Sequence, residues 1–329
     1  MNVLISSAGR RGALVRLWQH DLRELDPTGR VVTADASPLS AAAQLADAHE
    51  LVPRADSDDF LPVLLDVCAR HDIGLIVLTI DAEAPAYVRH REAIEAAGVT
   101  LSMPGSAAVE IGLDKLRTFE WLREGALPTV ATTTLDRALA DRAAWPLPLV
   151  VKPVHGSSGD GVSVAASEHD LALRGGEHQW ALVAQEVAAG HEFTADAWAD
   201  RSGRCRCVVL RRRLEVRAGE VSKSVTVRWP EAEAVVARAV DALPQAYGAI
   251  TVQFFATGRD PDTIRIIEVN TRYGGGYPLS WEAGARYPRW TLEELLGLPS
   301  TAAPDQWRDG LVMLRYDDAV FVDRSEVGL

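Results

Sequence analysis

Cysteine is scarce in this chain, acidic residues outnumber basic ones, and no apolar run reaches the length of a membrane span. Each lack removes a class of explanation. Three cysteines occur in 329 residues, Cys68, Cys205 and Cys207. The last two stand close together on a strand-like segment, poorly spaced to pair or to form a zinc knuckle, so all three read as reduced structural thiols. A formal charge of −12 sets the mean field against polyanions. Nucleic-acid binding as the main role is thereby disfavoured, and any nucleotide has to be held by local basic groups or by metal. A span needs roughly 18 to 20 apolar residues in succession, and Met1-Asn2-Val3-Leu4-Ile5 leads straight into a strand-like segment without the shape of a signal peptide. The expectation is a cytoplasmic protein with no membrane partner.

The two commonest nucleotide fingerprints are also missing. Ser6-Ser7-Ala8-Gly9-Arg10-Arg11-Gly12 follows an apolar strand where a dinucleotide fold would carry its glycine turn, but the G-x-G-x-x-G spacing is absent. The segment reads as a tight strand-to-helix turn; a second reading, in which Arg10 or Arg11 holds an anion at the helix start, stays open. The loop after Lys152 is no Walker A motif, because neither Lys-Ser nor Lys-Thr follows its last glycine.

What is present is ordinary for a globular protein: 47% hydrophobic and 24% charged residues. The length suits about two to three domains. Asn2 to Ser6, Arg30 to Ala34 and Gly74 to Thr79 read as buried parallel strands, and Leu14 to Leu25 and Phe60 to His71 as helices between them. That alternation predicts a Rossmann-like α/β opening. A Pro-Gly turn at Pro104-Gly105 marks a boundary, Ser106 to Glu124 reads as helical, and Leu127-Pro128-Thr129 as the start of a strand-rich region. The resulting division is 1–104, 105–185 and 186–329.

Chemistry concentrates in the later regions. Leu149-Val150-Val151-Lys152-Pro153 is an apolar strand ending in lysine, followed by His155-Gly156-Ser157-Ser158-Gly159-Asp160-Gly161. Glycines let backbone N–H groups approach phosphate oxygens and an ammonium neutralises their charge, although a plain hairpin turn has the same composition. Further on, Ala249 to Phe255 and Thr263 to Arg272 read as two strands of a hairpin. Residues two apart share a face, so Glu268 and Asn270 project together with Arg272 next, and Gln253 can face them from the partner strand. One carboxylate with two amide oxygens is a donor set suited to magnesium, which fills its remaining positions with phosphate and water.

With Lys115, Lys152 and the glycine loop in this order, the chain resembles the ATP-grasp superfamily. Gln185-Glu186-Val187-Ala188 looks like that family's hinge, and the resemblance implies that backbone groups there meet adenine while Glu192 accepts from ribose hydroxyls. It implies that Lys115 and Lys152 hold ATP phosphates with Gly156, Ser157, Ser158, Gly159 and Gly161, that Gln253, Glu268 and Asn270 hold magnesium, as two ions with manganese as a substitute, and that Arg272 meets the transferred phosphate. The glutamine at 253 and the Glu268-Val-Asn270-Thr-Arg272 pattern are similar to the carbamoyl-phosphate synthase large subunit, which carries two such units where this chain has one. The fold then expected is an ATP-grasp fold with an N-terminal Rossmann-like domain and two α+β subdomains clamping ATP. The activity expected is an ADP-forming ligase joining a small carboxylate to an amine, with a kinase as the alternative and a homodimer left open.

After Arg211-Arg212-Arg213, of which only Arg211 and Arg213 would share a face on an alternating strand, the polar stretch Arg217 to Ser224 reads as a lid loop between strand-like segments. Arg213 and Lys223 are the expected contacts to phosphate or substrate carboxylate, with a solvated basic stripe as the competing reading. Tyr273-Gly274-Gly275-Gly276-Tyr277 is expected to line the acceptor pocket. Trp281, Trp290 and Trp307 are expected in core or interface.

Overall fold

The computed structural model describes residues 1–156, 159–174, 179–217 and 219–328. Its first layer is a five-stranded sheet of β1 (Asn2–Ser6), β2 (Val31–Asp35), β3 (Ala48–Leu51), β4 (Ile73–Leu78) and β5 (Thr100–Ser102), in the order β3-β2-β1-β4-β5 and parallel throughout. Strands covered on both faces must be apolar nearly end to end. Val3, Leu4, Ile5, Leu75, Ile76 and Val77 accordingly have no exposed surface. Helix Gly12–Leu25 buries Leu14, Val15, Trp18 and Leu22, a stripe at helical spacing, against this sheet and the C-terminal helices.

One ion pair pins the edge of this layer. Glu50 on β3 accepts from Arg70 Nη1 and Nη2 at 2.7 and 3.0 Å and lies 2.6 Å from His71 Nε2. The Arg70 hydrogen bonds hold its carboxyl down at about 2, from an ordinary 4.5. A depressed carboxylate stabilises above its unfolded value and loses that stabilisation as pH falls. Glu50→Gln should therefore flatten the fall in Tm between about pH 4.5 and 2 relative to the parent, read by thermal melts at stepped pH.

The single helix expected over Ser106 to Glu124 is two, Ser106–Leu113 and Lys115–Glu124. Asp114 divides them: its backbone is extended and its side chain accepts from the N–H groups of Leu116 and Arg117 at 2.9 and 3.0 Å. An aspartate offered this N-cap ends one helix and starts the next. The consequence is functional, because Lys115 becomes a first-turn residue whose own N–H reaches Val154 O at 3.2 Å.

The second layer holds β6 (Thr132–Thr134), β7 (Leu149–Pro153), β8 (Ser163–Ala165) and β9 (Leu182–Glu186) in the order β6-β9-β7-β8, all antiparallel. Leu127 to Thr129 does not open this sheet as expected; Thr129 instead bridges Ile266 in the next layer. The third layer is antiparallel, order β14-β13-β10-β11-β12-β15, from β10 (His191–Ala199), β11 (Cys205–Arg217), β12 (Glu220–Thr226), β13 (Gly248–Ala256), β14 (Arg265–Asn270) and β15 (Val312–Leu314). Helix Pro230–Ala242 covers one face, packing Val235, Val236 and Val240 with Ile250, Val252 and Phe254.

The stretch Arg217 to Ser224, expected as a lid loop, is largely strand. β11 runs to Arg217 and pairs with β12 from Glu220, with Arg211 opposite Thr226 and Arg213 opposite Ser224. The buried Val208, Val209 and Val221 supply β-branched packing that outweighs the polar side chains between them. Among the described residues no helix is long and apolar enough to cross a membrane.

Candidate active site

The second and third layers face one another across a cavity of about 560 Å³, which Arg11 enters from the first turn of the N-terminal sheet. On the side of the second layer Lys152, at the end of β7, is 6% exposed. Burial pulls its ammonium down to about 8, with Lys115 adding to the fall and the Glu268 carboxylate opposing it. Lys115 is lowered too, by burial first, and its Nζ donates to Gly156 O at 2.9 Å. Gly156 and Gly159 have φ of +135° and +77° and line the cavity. Gly161 turns instead against Pro153 and is not among the lining residues. Ser157 and Ser158 lie outside the described residues.

Gln185, Glu186, Val187 and Ala188 line the same cavity where β9 passes toward β10. The Gln185 side chain is committed elsewhere, donating to Thr132 Oγ1 at 2.8 Å, so this segment can offer chiefly backbone and the apolar Val187 and Ala188 side chains. Glu192 lines the cavity but accepts from Arg213 Nη1 at 2.6 Å; burial raises its carboxyl, with Arg213 opposing. The two residues expected to serve ribose and phosphate separately are thus an ion pair.

On the third layer the hairpin forms as expected, with Gln253 directly opposite Glu268 and Asn270 opposite Thr251. Gln253 and Glu268 line the cavity. Among the described residues Glu268 has no ion-pair partner, and the two lysines lie across from it. Asn270 is 3% exposed behind the lining; its Oδ1 accepts from Arg272 Nη2 at 3.3 Å and its Nδ2 has no partner among the described residues. The unpartnered Asn270 atom is an N–H donor, which calls for an acceptor such as a phosphate oxygen, so the fit to a cation held by oxygen donors rests on the Glu268 carboxylate and the Gln253 amide oxygen opposite it. Arg272 also donates to Asp81 from Nε and Nη2, at 3.0 and 2.7 Å. Lys223 does not join the site. It lies exposed on β12, pairs with Glu215 at 2.7 Å, and is not among the lining residues.

The residues from 178 to 319 match a family model described as ATP-grasp in the biosynthetic pathway with Ter operon, and residues 3–102 match the PylC-like N-terminal domain. The C-terminal part of the chain, residues 178–319, is thereby placed in the ATP-grasp superfamily. Among solved structures, this ATP-grasp protein is similar to the biotin carboxylase domain of Hydrogenobacter thermophilus 2-oxoglutarate carboxylase, crystallised with MgADP, ADP and bicarbonate. The TM-score is 0.72 at 18% identity, over 94% of this chain and 73% of that one. N5-carboxyaminoimidazole ribonucleotide synthetase from Thermus thermophilus gives 0.71 at 19% identity, covering 92% and 81%. The fold is common to them. In sequence, the chain is 32% identical over 147 residues to formate-dependent phosphoribosylglycinamide formyltransferase of Synechococcus sp. (strain CC9605), 43% of this chain and 35% of that protein. It is also 32% identical over 114 residues to D-alanine--D-alanine ligase of Chromohalobacter salexigens, 33% of this chain and 36% of that one. The chain thus spans about a third of the length of these curated relatives.

Sequence reasoning missed part of this ATP-grasp site. Asp81, which fixes Arg272, follows the apolar run ending at Thr79, the C-terminal end of a parallel strand where such sheets hold functional groups, and that placement was available as a signal. Arg211 is 1% exposed and locked to Asp196, at 2.7 and 3.0 Å, 15 residues earlier; nothing in the local pattern announces that pairing.

Proposed function

We propose that this protein is an ATP- and magnesium-dependent ligase that activates a small carboxylate as an acyl phosphate and joins it to an amine, releasing ADP and phosphate. One observation carries the reading: Glu268, facing Gln253, stands without an ion pair among the described residues, in the same cavity as Lys115 and Lys152. An anion flanked by two cations across a gap is an arrangement a metal-bound polyphosphate would complete, since the metal satisfies the carboxylate and the phosphates satisfy the lysines.

In this reading Gln253, Glu268 and Asn270 hold the magnesium ions, with manganese as a substitute of similar oxygen preference. Bound there, the metal neutralises charge on the phosphates and orients them. Lys115, Lys152 and the loop from Gly156 to Gly161 hold the phosphates, and the Gln185 to Ala188 segment meets the adenine edge. A substrate carboxylate oxygen attacks the γ-phosphorus, the bond to the β,γ-bridging oxygen breaks, and ADP leaves. Arg272, oriented by Asp81, steadies the phosphoryl oxygens as charge develops. The amine then attacks the acyl carbon, phosphate departs with the bonding pair, and the amine nitrogen gives up a proton. The division at residues 104 and 185, and the kinship with the carbamoyl-phosphate synthase unit through Gln253, belong to the same proposal.

Hydroxylamine trapping tests it. With MgATP and the proper acid, the protein should yield ADP and a hydroxamate in equal amounts. Formation of ADP with a stable phosphate ester and no hydroxamate would point to a kinase and overturn the ligase.

A further inference from the structure

The end of the cavity beside the three glycines is built unlike the rest. Arg211 is 1% exposed, and Asp196 takes its Nε and Nη2. Its Nη1 is buried and has no partner among the described residues, and Arg211 is one of the cavity-lining residues. Nη1 lies against Gly276, where any Cβ would collide with it. A guanidinium N–H in a buried site is costly unless an acceptor meets it. Arg11 enters the same end from the N-terminal layer, anchored by Nη1 to Tyr273 O at 2.9 Å, and has no carboxylate hydrogen-bonded to it among the described residues. Burial depresses it to about 10, with Arg272 adding to the fall and the Glu220 and Asp81 carboxylates opposing it.

Beside these cations stands a carboxylate only partly used. Glu220 lines the cavity, and its Oε2 accepts from Arg315 at 2.9 Å. Its Oε1 lies 4.0 Å from Arg10 Nη2 and accepts no hydrogen bond among the described residues. Gly275 faces this carboxylate, its missing Cβ falling 3.6 to 3.8 Å away. The acceptor end therefore presents unmet N–H donors on one side and an unmet carboxylate oxygen on the other, separated by one residue of glycine backbone.

We propose that this end of the cavity is a subsite for an amino acid, with Arg211 and Arg11 taking its carboxylate and Glu220 its ammonium. The proposal rests on the ligase reading above. Asp196 acts as a positioning residue, because it fixes the guanidinium plane and leaves one edge of it free. Lys223, exposed and paired with Glu215, is not among the lining residues, whereas Arg213 lines the cavity with Nη1 given to Glu192 and its buried Nε without a partner among the described residues.

The test measures ADP release from MgATP with the common amino acids in both enantiomers, each run beside the acid of the same skeleton lacking the amino group, and with bicarbonate and formate. Binding of MgATP is followed in parallel by calorimetry. At least one amino acid should stimulate ADP release about tenfold or more over its desamino counterpart, near 1.4 kcal/mol of discrimination. Glu220→Gln should erase that preference, acting on KM more than on kcat. The paired change Arg211→Met with Asp196→Asn removes both buried charges together, so that folding survives; it should raise KM for the amino acid tenfold or more, with a thermal melt reporting the fold. Equal response to desamino acids, response to bicarbonate or formate alone, no response to any acid while MgATP binds, or a preference untouched by Glu220→Gln each overturns the proposal and leaves the ligase reading standing or falling on hydroxamate formation. Absent MgATP binding sinks both.

Discussion

Glu268→Gln should reduce acid-dependent ADP release by on the order of 1,000-fold while the protein stays folded. The glutamine keeps the side chain's length and one oxygen, so packing against Gln253 on β13 is preserved and the partly buried position loses no volume. What disappears is the negative charge. Of the glutamates lining the cavity, Glu192 is paired with Arg213 and Glu220 with Arg315, whereas the half-buried Glu268, like the exposed Glu186, has no ion pair among the described residues. It is also the group that holds up the ammonium of both Lys115 and Lys152 against burial. Two opposed effects follow. Without magnesium, a nucleotide should bind the variant as well as or better than the parent, because one repelling carboxylate has gone. With magnesium, the variant should lose the enhancement that the parent gains. A variant that keeps full turnover, or that loses magnesium-free and magnesium-bound binding equally, would remove Glu268 from the metal site.

How much of this was legible in the sequence depends on the range of the interactions involved. The strand-to-strand placement of Gln253 and Glu268 needs only period-two alternation and a polar turn between two apolar runs, and both are local. β1, the helix Gly12–Leu25 and β4 follow equally from runs and spacing that a short window contains. The break at Asp114 was harder, because a capping aspartate inside a helical pattern looks like one more surface charge until its extended backbone is seen. The reading of Arg217 to Ser224 as a loop failed for a related reason. Polarity argued for exposure, but the β-branched residues interleaved with the arginines carry the strand, and Arg211 is buried because Asp196 lies on the adjacent β10. Long-range partners such as Asp81 with Arg272, 191 positions apart, have no local signature. They explain why Lys115, Lys152, Gln253 and Glu268 could be placed in one cavity from sequence while the counter-charges around them could not.

The largest effect on stability should come from Asp196→Ala. Asp196 is 2% exposed, accepts from Arg211 Nε and Nη2 at 2.7 and 3.0 Å, and also accepts from the buried Ser280 hydroxyl. Removing one partner of a buried pair leaves the other charge unsolvated, at a cost of about 3–5 kcal/mol. With an unfolding entropy of roughly 2.1 cal/mol/K per residue, that cost corresponds to a fall in Tm of roughly 4–7 °C for a chain of this size. Asp196→Ala also releases the guanidinium that the triple glycine leans on, since a Cβ at Gly276 would already collide with Arg211. Neutralising both partners, Asp196→Asn with Arg211→Met, should recover most of the lost Tm because no uncompensated charge remains. It should not recover affinity for an acidic acceptor. Thermal melts of the parent, the single variant and the double variant read the first difference, and KM for the stimulating acid reads the second. If the double variant melts as low as the single one, packing rather than charge pairing holds this part of the sheet together.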